Sequence, residues 1–276
     1  MITMTSNIRF LSLNVGLKNN LAGLLTLIGV HKLDLIFLQE VRLSESEIKQ
    51  IVGLDFECKV NIDEENVSRP GTAVIWKISI PITNVTNLVP CRAQFVEIQN
   101  CGLVNVYAPS GSDRAQERAV FFSTDIFQAL SLDTRLSWGL AGDFNCLLSP
   151  FDVENGTGYR QKTCPQLSDL VRVKKLSDTF RYMHPNKREF TFFRSNAAAS
   201  RLDRIYLSED ILDRVSFIEH IASLSDHCGV FMGFDFSYSS RSNKDTGSPK
   251  SKIYWKLNTA ITKKRFTCTL KSCGRI

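Results

Sequence analysis

Eight polar residues sit where apolar runs of this chain begin or end. They are Asn14, Glu40, Tyr107, Asp143, Asn145, Asp203, Asp226 and His227. Carboxylates, carboxamides, a phenol and one imidazole make the inventory of a metal-assisted phosphoryl-transfer site. A phosphodiester is anionic and repels hydroxide. A hard cation such as Mg²⁺ takes oxygen ligands and neutralises that charge. An attacking water needs a carboxylate or imidazole in hydrogen-bond reach, and an imidazole used this way needs a carboxylate to set its tautomer. Carboxamides and a phenol can donate to the phosphate oxygens. Taken singly, each residue has a plainer reading. Asn14 and Asp143 would be turn formers, Glu40 a solvated loop residue and Tyr107 a packed aromatic. The set, not any member, carries the chemistry. His31, His184 and His220 read as surface, loop or packing residues.

These groups need elements to hold them. Residues 8–14 read as a strand, and Leu21, Leu24, Leu25 and Ile28 recur at helical spacing. Residues 33–38 form a continuous apolar run suited to a strand covered on both faces. Strand, helix, strand predicts a layered α/β protein. Further strands are expected at 71–76, 80–84, 95–99, 103–107, 138–141 and 228–236, and helices at 114–131 and after Thr163, where Pro165 suits a first turn. Residues 189–194 and 201–207 read as a hairpin around the tip SNAAAS.

Composition excludes several classes. The 276 residues are 43% hydrophobic and 22% charged, which is globular composition. No stretch approaches the roughly 18–20 apolar residues of a membrane span, and the N-terminus does not read as a secretory signal. The eight cysteines form no CxxC pair, so free thiols are expected rather than zinc or a disulfide framework. The tail from residue 237 holds ten Lys/Arg and one Asp, so it carries +9 of a whole-chain +6, leaving the first 236 residues at −3. The expected division is therefore a catalytic domain at 1–236 and a basic, flexible linker at 237–276.

The motifs LSLNVGL (11–17), IFLQEVRL (36–43), NVYAPSG (105–111), AGDFNC (141–146), SRLDRIYLS (200–208) and SDHCGVF (225–231), in this order, resemble the endonuclease/exonuclease/phosphatase family. NVYAPSG, AGDFNC and SRLDRIYLS are in the style of its apurinic-type branch, the endonuclease domain of non-LTR retrotransposons. The resemblance implies a four-layer αββα sandwich that nicks DNA inside the cell, in the nucleus, using Mg²⁺ (with Mn²⁺ able to substitute) and no membrane. It implies Glu40 as principal metal ligand with Asn14 beside it and Asp226 in support. Asp143 would orient or deprotonate water. Asn145 and Tyr107 would hold the phosphate, and His227 would contact it or share protons, oriented by Asp203, with the general base either Asp143 or His227. Arg194, Ser200, Arg201 and Arg204 become candidate DNA contacts, against the alternative of a solvated hairpin face. Gly16 stands where several relatives carry an acidic or amide group, which puts more weight on Glu40. YWKLNTAI (254–261) resembles the peptide that follows such endonucleases. The closing KKRFTCTLKSCGRI does not, as expected for a truncated or frameshifted copy. A cellular phosphodiesterase of the same family, or an inactive remnant serving as a binding module, are the competing readings.

Overall fold

The computed structural model describes residues 7–16, 21–63, 65–66, 69–131, 133, 135–154, 163–194 and 198–236. The basic tail therefore lies outside the described residues. The chain runs β1 (Asn7–Asn14), α1 (Leu21–His31), β2 (Leu35–Val41), α2 (Glu45–Val52), β3 (Phe56–Asn61), β4 (Gly71–Lys77), β5 (Ile82–Val89), β6 (Ala93–Ile98) and β7 (Cys101–Tyr107). There follow α3 (Ala115–Val120), a π-helical turn (Phe121–Ile126), α4 (Phe127–Ala129), β8 (Ser137–Asp143), α5 (Pro165–Val173), β9 (Leu176–Asp178), α6 (Thr179–Met183), β10 (Asp203–Ser208), β11 (Val215–Ile221) and β12 (Gly229–Asp235).

Two six-stranded sheets form, in the orders β11-β12-β1-β2-β4-β3 and β5-β6-β7-β8-β10-β9. Each is mixed: β1 runs parallel to β2, and β7 parallel to β8. Successive side chains on a strand face opposite ways, so one apolar run serves two cores. Phe10, Leu35 and Phe37 pack toward the second sheet, meeting Val96, Leu103, Ile205 and Leu207. Leu11, Leu13, Ile36 and Leu38 point outward to Leu24 of α1 and Ile48 of α2. The outer face of the second sheet, Val104, Val106 and Leu140, is covered by Phe122 and Ile126 of the π-helical turn and Leu167 and Leu170 of α5. Helix, sheet, sheet, helix is the four-layer sandwich. Burying each such leucine or phenylalanine stabilises by about 1.5–3 kcal/mol.

Several local expectations are corrected. The helix expected at 114–131 runs from Ala115 to Ala129, but its middle, Phe121–Ile126, is π-helical rather than α-helical. Leu25 is exposed, unlike Leu24. Residues 189–194 do not form a strand. Phe192 makes isolated bridges to Ser200 and His227, so only the second arm of the expected hairpin is regular. Helix α2 escaped the sequence reading although it begins with a capping box, Ser44 and Glu47 satisfying each other's backbone N–H. The six described cysteines are free, five of them buried. Among the described residues no helix is long and apolar enough to cross a membrane.

Candidate active site

The strand ends that carry the polar set open onto one cleft of about 990 Å³, lined by Glu40, Tyr107, Asp143, Asn145, Asp226 and His227 among others. Polar bridges pin the two sheets together beneath it. Gln39 Nε2 on β2 donates to Asn105 Oδ1 on β7 at 2.8 Å, and Asn105 Nδ2 donates to the carbonyls of Leu38 and Ala73. All are buried, so each bond is made where an unmade one would be expensive.

Glu40 gets its direction from a β-bulge. The β2–β4 register slips between Gln39 and Val41, and Glu40 takes φ +61°. The extra residue turns its side chain out of the pleat into the cleft. Asn14 Nδ2 and the Tyr107 hydroxyl both donate to Glu40 Oε1, each at 3.2 Å. Glu40 Oε2 receives no hydrogen bond among the described residues.

Asp143 ends β8. A β-carbon on the preceding Gly142 would overlap the Val106 carbonyl, and Gly142 has φ +150°, so only glycine lets β8 approach β7 this closely. The Asp143 carboxylate is buried and held from three directions. Oδ1 accepts Asn145 N–H at 2.9 Å, and Oδ2 accepts Asn14 Nδ2 and Asn145 Nδ2, each at 3.0 Å. Burial and the neighbouring Asp203 push the Asp143 carboxyl up to about 6, against the opposing pull of His227 and the hydrogen bonds. Asn145, at φ +48°, also donates Nδ2 to the Ala108 carbonyl. Its amide hydrogens are committed, so in this arrangement it positions Asp143 rather than offering a donor to phosphate.

His227 and Asp203 meet across the sheets, Nδ1 lying 2.9 Å from Asp203 Oδ2. That contact orients the ring and leaves Nε2 for the cleft. Burial works to lower the imidazole, but the carboxylates of Asp203, Asp143 and Asp226 outweigh it and raise His227 to about 10. Phe192 tilts against the imidazole, centroids 4.8 Å apart. The Tyr107 phenol is pushed above its usual range by burial and then by the charges of Glu40 and Asp143, so it remains a donor. Arg92 lies over its ring at 4.6 Å.

Two groupings could hold a cation. Asp143, Asp203 and His227 place ligand atoms within 4.8 Å of one another. Their carboxylates, however, are already engaged by amide donors and by the imidazole. Glu40, with one uncommitted oxygen, and Asp226, exposed on the cleft wall, fit a hard cation better. Asn14 sits beside Glu40, as expected of it. Its Oδ1 accepts Gly16 N–H at 2.9 Å, while its Nδ2 bridges the Glu40 and Asp143 carboxylates.

The expected DNA-contacting residues divide. Arg194 is exposed and lines the cleft. Arg201 and Arg204 are 2% and 1% exposed, lie outside the cleft lining and are paired with aspartates, so they form neither a solvated face nor a contact to a strand in the cleft. Arg201 Nε donates to Asp152 Oδ1 at 2.9 Å, Arg201 Nη2 to Asp178 Oδ2 at 2.5 Å and Arg204 Nη2 to Asp152 Oδ2 at 3.1 Å. Ser200 is likewise buried, its hydroxyl donating to the Ala198 carbonyl. Residues 195–197 of the expected hairpin tip lie outside the described residues. Sequence reading also missed Gln39, Asn105, Arg118, Asp152 and Phe192. The IFLQEVRL and NVYAPSG motifs contain Gln39 and Asn105, but nothing local marks Arg118, Asp152 or Phe192 as buried or cleft-facing.

Residues 4–227 match the Endonuclease/Exonuclease/phosphatase family. The fold is similar to AP endonuclease LMAP from Leishmania major (18% identity, 83% of this chain and 88% of that one, TM-score 0.68). It is also similar to the 3′-5′ exonuclease NExo from Neisseria meningitidis (18%, 83% and 100%, 0.68) and to an AP endonuclease from Archaeoglobus fulgidus (17%, 83% and 99%, 0.69). With a family match spanning most of the chain, and the motif residues gathered on one cleft of the shared fold, this chain belongs to the endonuclease/exonuclease/phosphatase family.

Proposed function

We propose that this chain nicks one strand of duplex DNA by cation-dependent phosphodiester hydrolysis, as the endonuclease domain of a non-LTR retrotransposon. The observation that carries the reading is the convergence of Glu40, Tyr107, Asp143 and the Asp203–His227 pair on one cleft. Glu40 and Asp226 would hold Mg²⁺, which when bound supplies charge neutralisation at the phosphate and leaving oxygen. Asp143, fixed by Asn14 and Asn145, orients the attacking water. His227 presents Nε2 to the phosphate, its ring set by Asp203, and the Tyr107 hydroxyl, which donates to Glu40 Oε1 in this structure, would turn from that carboxylate to a phosphate oxygen. Arg194 contributes a surface contact to the strand.

The retrotransposon assignment is supported by the motif style of NVYAPSG, AGDFNC and SRLDRIYLS. A second reading, abasic-site repair, is favoured by two AP endonucleases among the similar structures. Incubating the full chain with intact duplex, abasic duplex and RNA in Mg²⁺ separates them. We expect nicks in intact duplex with 3′-hydroxyl ends that a polymerase extends directly. Cleavage confined to abasic duplex supports the repair reading and overturns ours.

A further inference from the structure

Arg118, in α3, is 2% exposed yet lines the active cleft. Among the other buried guanidinium groups, Arg201 and Arg204 meet Asp152, while Arg92 lies over the Tyr107 ring with Nε and Nη1 lacking hydrogen-bond partners. Arg118 differs from these three in lining the cleft. Among the described residues it makes no ion pair. Its Nη1 donates to the carbonyls of Pro109 and Gly111, at 2.7 and 3.1 Å, and its Nε is buried without a hydrogen-bond partner. A buried positive charge with no anion is costly, and arginine cannot relieve it by losing its proton. The cleft carries the carboxylates of Glu40, Asp143 and Asp226, which repel a polyanionic strand. A cation on its wall answers both problems once a phosphate arrives.

We propose that Arg118 is a substrate-binding residue that supplies the charge partner for a backbone phosphate adjacent to the one being cut, while its Nη1 holds the Pro109–Gly111 loop, with Ser110, at the cleft edge. This rests on the DNA-nicking reading above. Arginine suits the double task because its planar fork grips two carbonyls with Nη1 and keeps Nη2 for an anion. Lysine would bring the charge without the grip.

The test is a coupling cycle on binding, measured by fluorescence anisotropy in EDTA so that nothing is cut. The full chain is titrated with short duplexes carrying a mapped nick site and one neutral methylphosphonate at successive positions of the cut strand. In the unaltered protein, one position flanking the cut phosphate should weaken binding about tenfold, as expected for losing a charge-assisted bond. In Arg118→Gln the same substitution should cost less than about twofold, and in Arg118→Lys an intermediate amount. A purely structural clamp would leave the methylphosphonate penalty unchanged in both variants, which overturns the proposal. So would an unaltered protein indifferent to every flanking phosphate, a result that needs no variant to fold. If the unaltered chain neither binds nor nicks DNA, the functional reading falls and Arg118's role with it. If it does both without coupling, only Arg118's role falls.

Discussion

Asp152 should be among the most sensitive positions for stability, although it touches neither cleft nor solvent. It ends a short 3₁₀ turn and is 1% exposed. Its Oδ1 accepts Arg181 Nη2 at 3.0 Å and Arg201 Nε at 2.9 Å, and its Oδ2 accepts Arg204 Nη2 at 3.1 Å. Asp178 is the second anion, held by Arg201. Three guanidinium groups thus share two carboxylates. Asp152→Asn keeps the shape but leaves those cations with one carboxylate, and two of the cations have no access to water. Breaking a buried pair in this way costs about 3–5 kcal/mol. That is a large fraction of the roughly 5–15 kcal/mol that holds a folded chain together. At about 2–4 °C per kcal/mol for a domain of this size, Tm should fall by about 6–20 °C. Circular dichroism melts of the full chain measure it, with Arg194→Ala as a control expected to melt like the unaltered protein because Arg194 is exposed. An Asp152→Asn variant melting within about 2 °C of the unaltered protein would refute the claim that Arg201 and Arg204 are structural cations.

The same network predicts an acid limit. Burial works to raise the carboxyls of Asp152 and Asp178, but Arg204 and Arg201 outweigh it and hold both below the usual range. Their stabilisation is therefore present above the ordinary value of 3.8 and lost as pH falls below it. Tm should drop between about pH 4 and pH 2, and a flat profile there counts against the network. Gly142→Ala forces a β-carbon into the Val106 carbonyl at a φ that side chains rarely adopt. It should cost about 3 kcal/mol or more in urea unfolding, and a loss under about 1 kcal/mol would show that β7 and β8 can separate freely. Tyr107→Phe keeps the ring under Arg92 and removes the hydroxyl donor. Turnover should fall about 10²-fold with Tm nearly unchanged, whereas an unchanged rate removes Tyr107 from the site.

What the sequence made legible was mostly local. Strand ends followed by Asn, Glu, Asp and His are visible as composition changes, and the alternation that puts Phe10 inward and Leu11 outward is a property of the backbone. Those features carried the layered fold and the principal cleft residues. What stayed hidden depended on distant partners. Arg201 and Arg204 look like exposed hairpin residues because nothing near them in the chain announces Asp152 or Asp178, about fifty and twenty-five residues upstream. Glu40 is aimed by a one-residue register slip against β4, a feature of pairing rather than of any sequence window. Asn14 was expected beside the metal ligand Glu40; that its amide hydrogens also reach Asp143, 129 residues away, is set by the fold and not by any local sequence. The capping box at Ser44 and Glu47 was legible and overlooked.

The central claim is that these converging side chains cut a phosphodiester with the help of a bound cation. Supercoiled plasmid incubated with the full chain tests it most directly. Open circles should accumulate in Mg²⁺, cease on adding EDTA, and form several orders of magnitude more slowly with Asp143→Ala or His227→Ala, each variant checked to be folded. Nicking that continues in EDTA, or at an undiminished rate in either folded variant, would contradict the account.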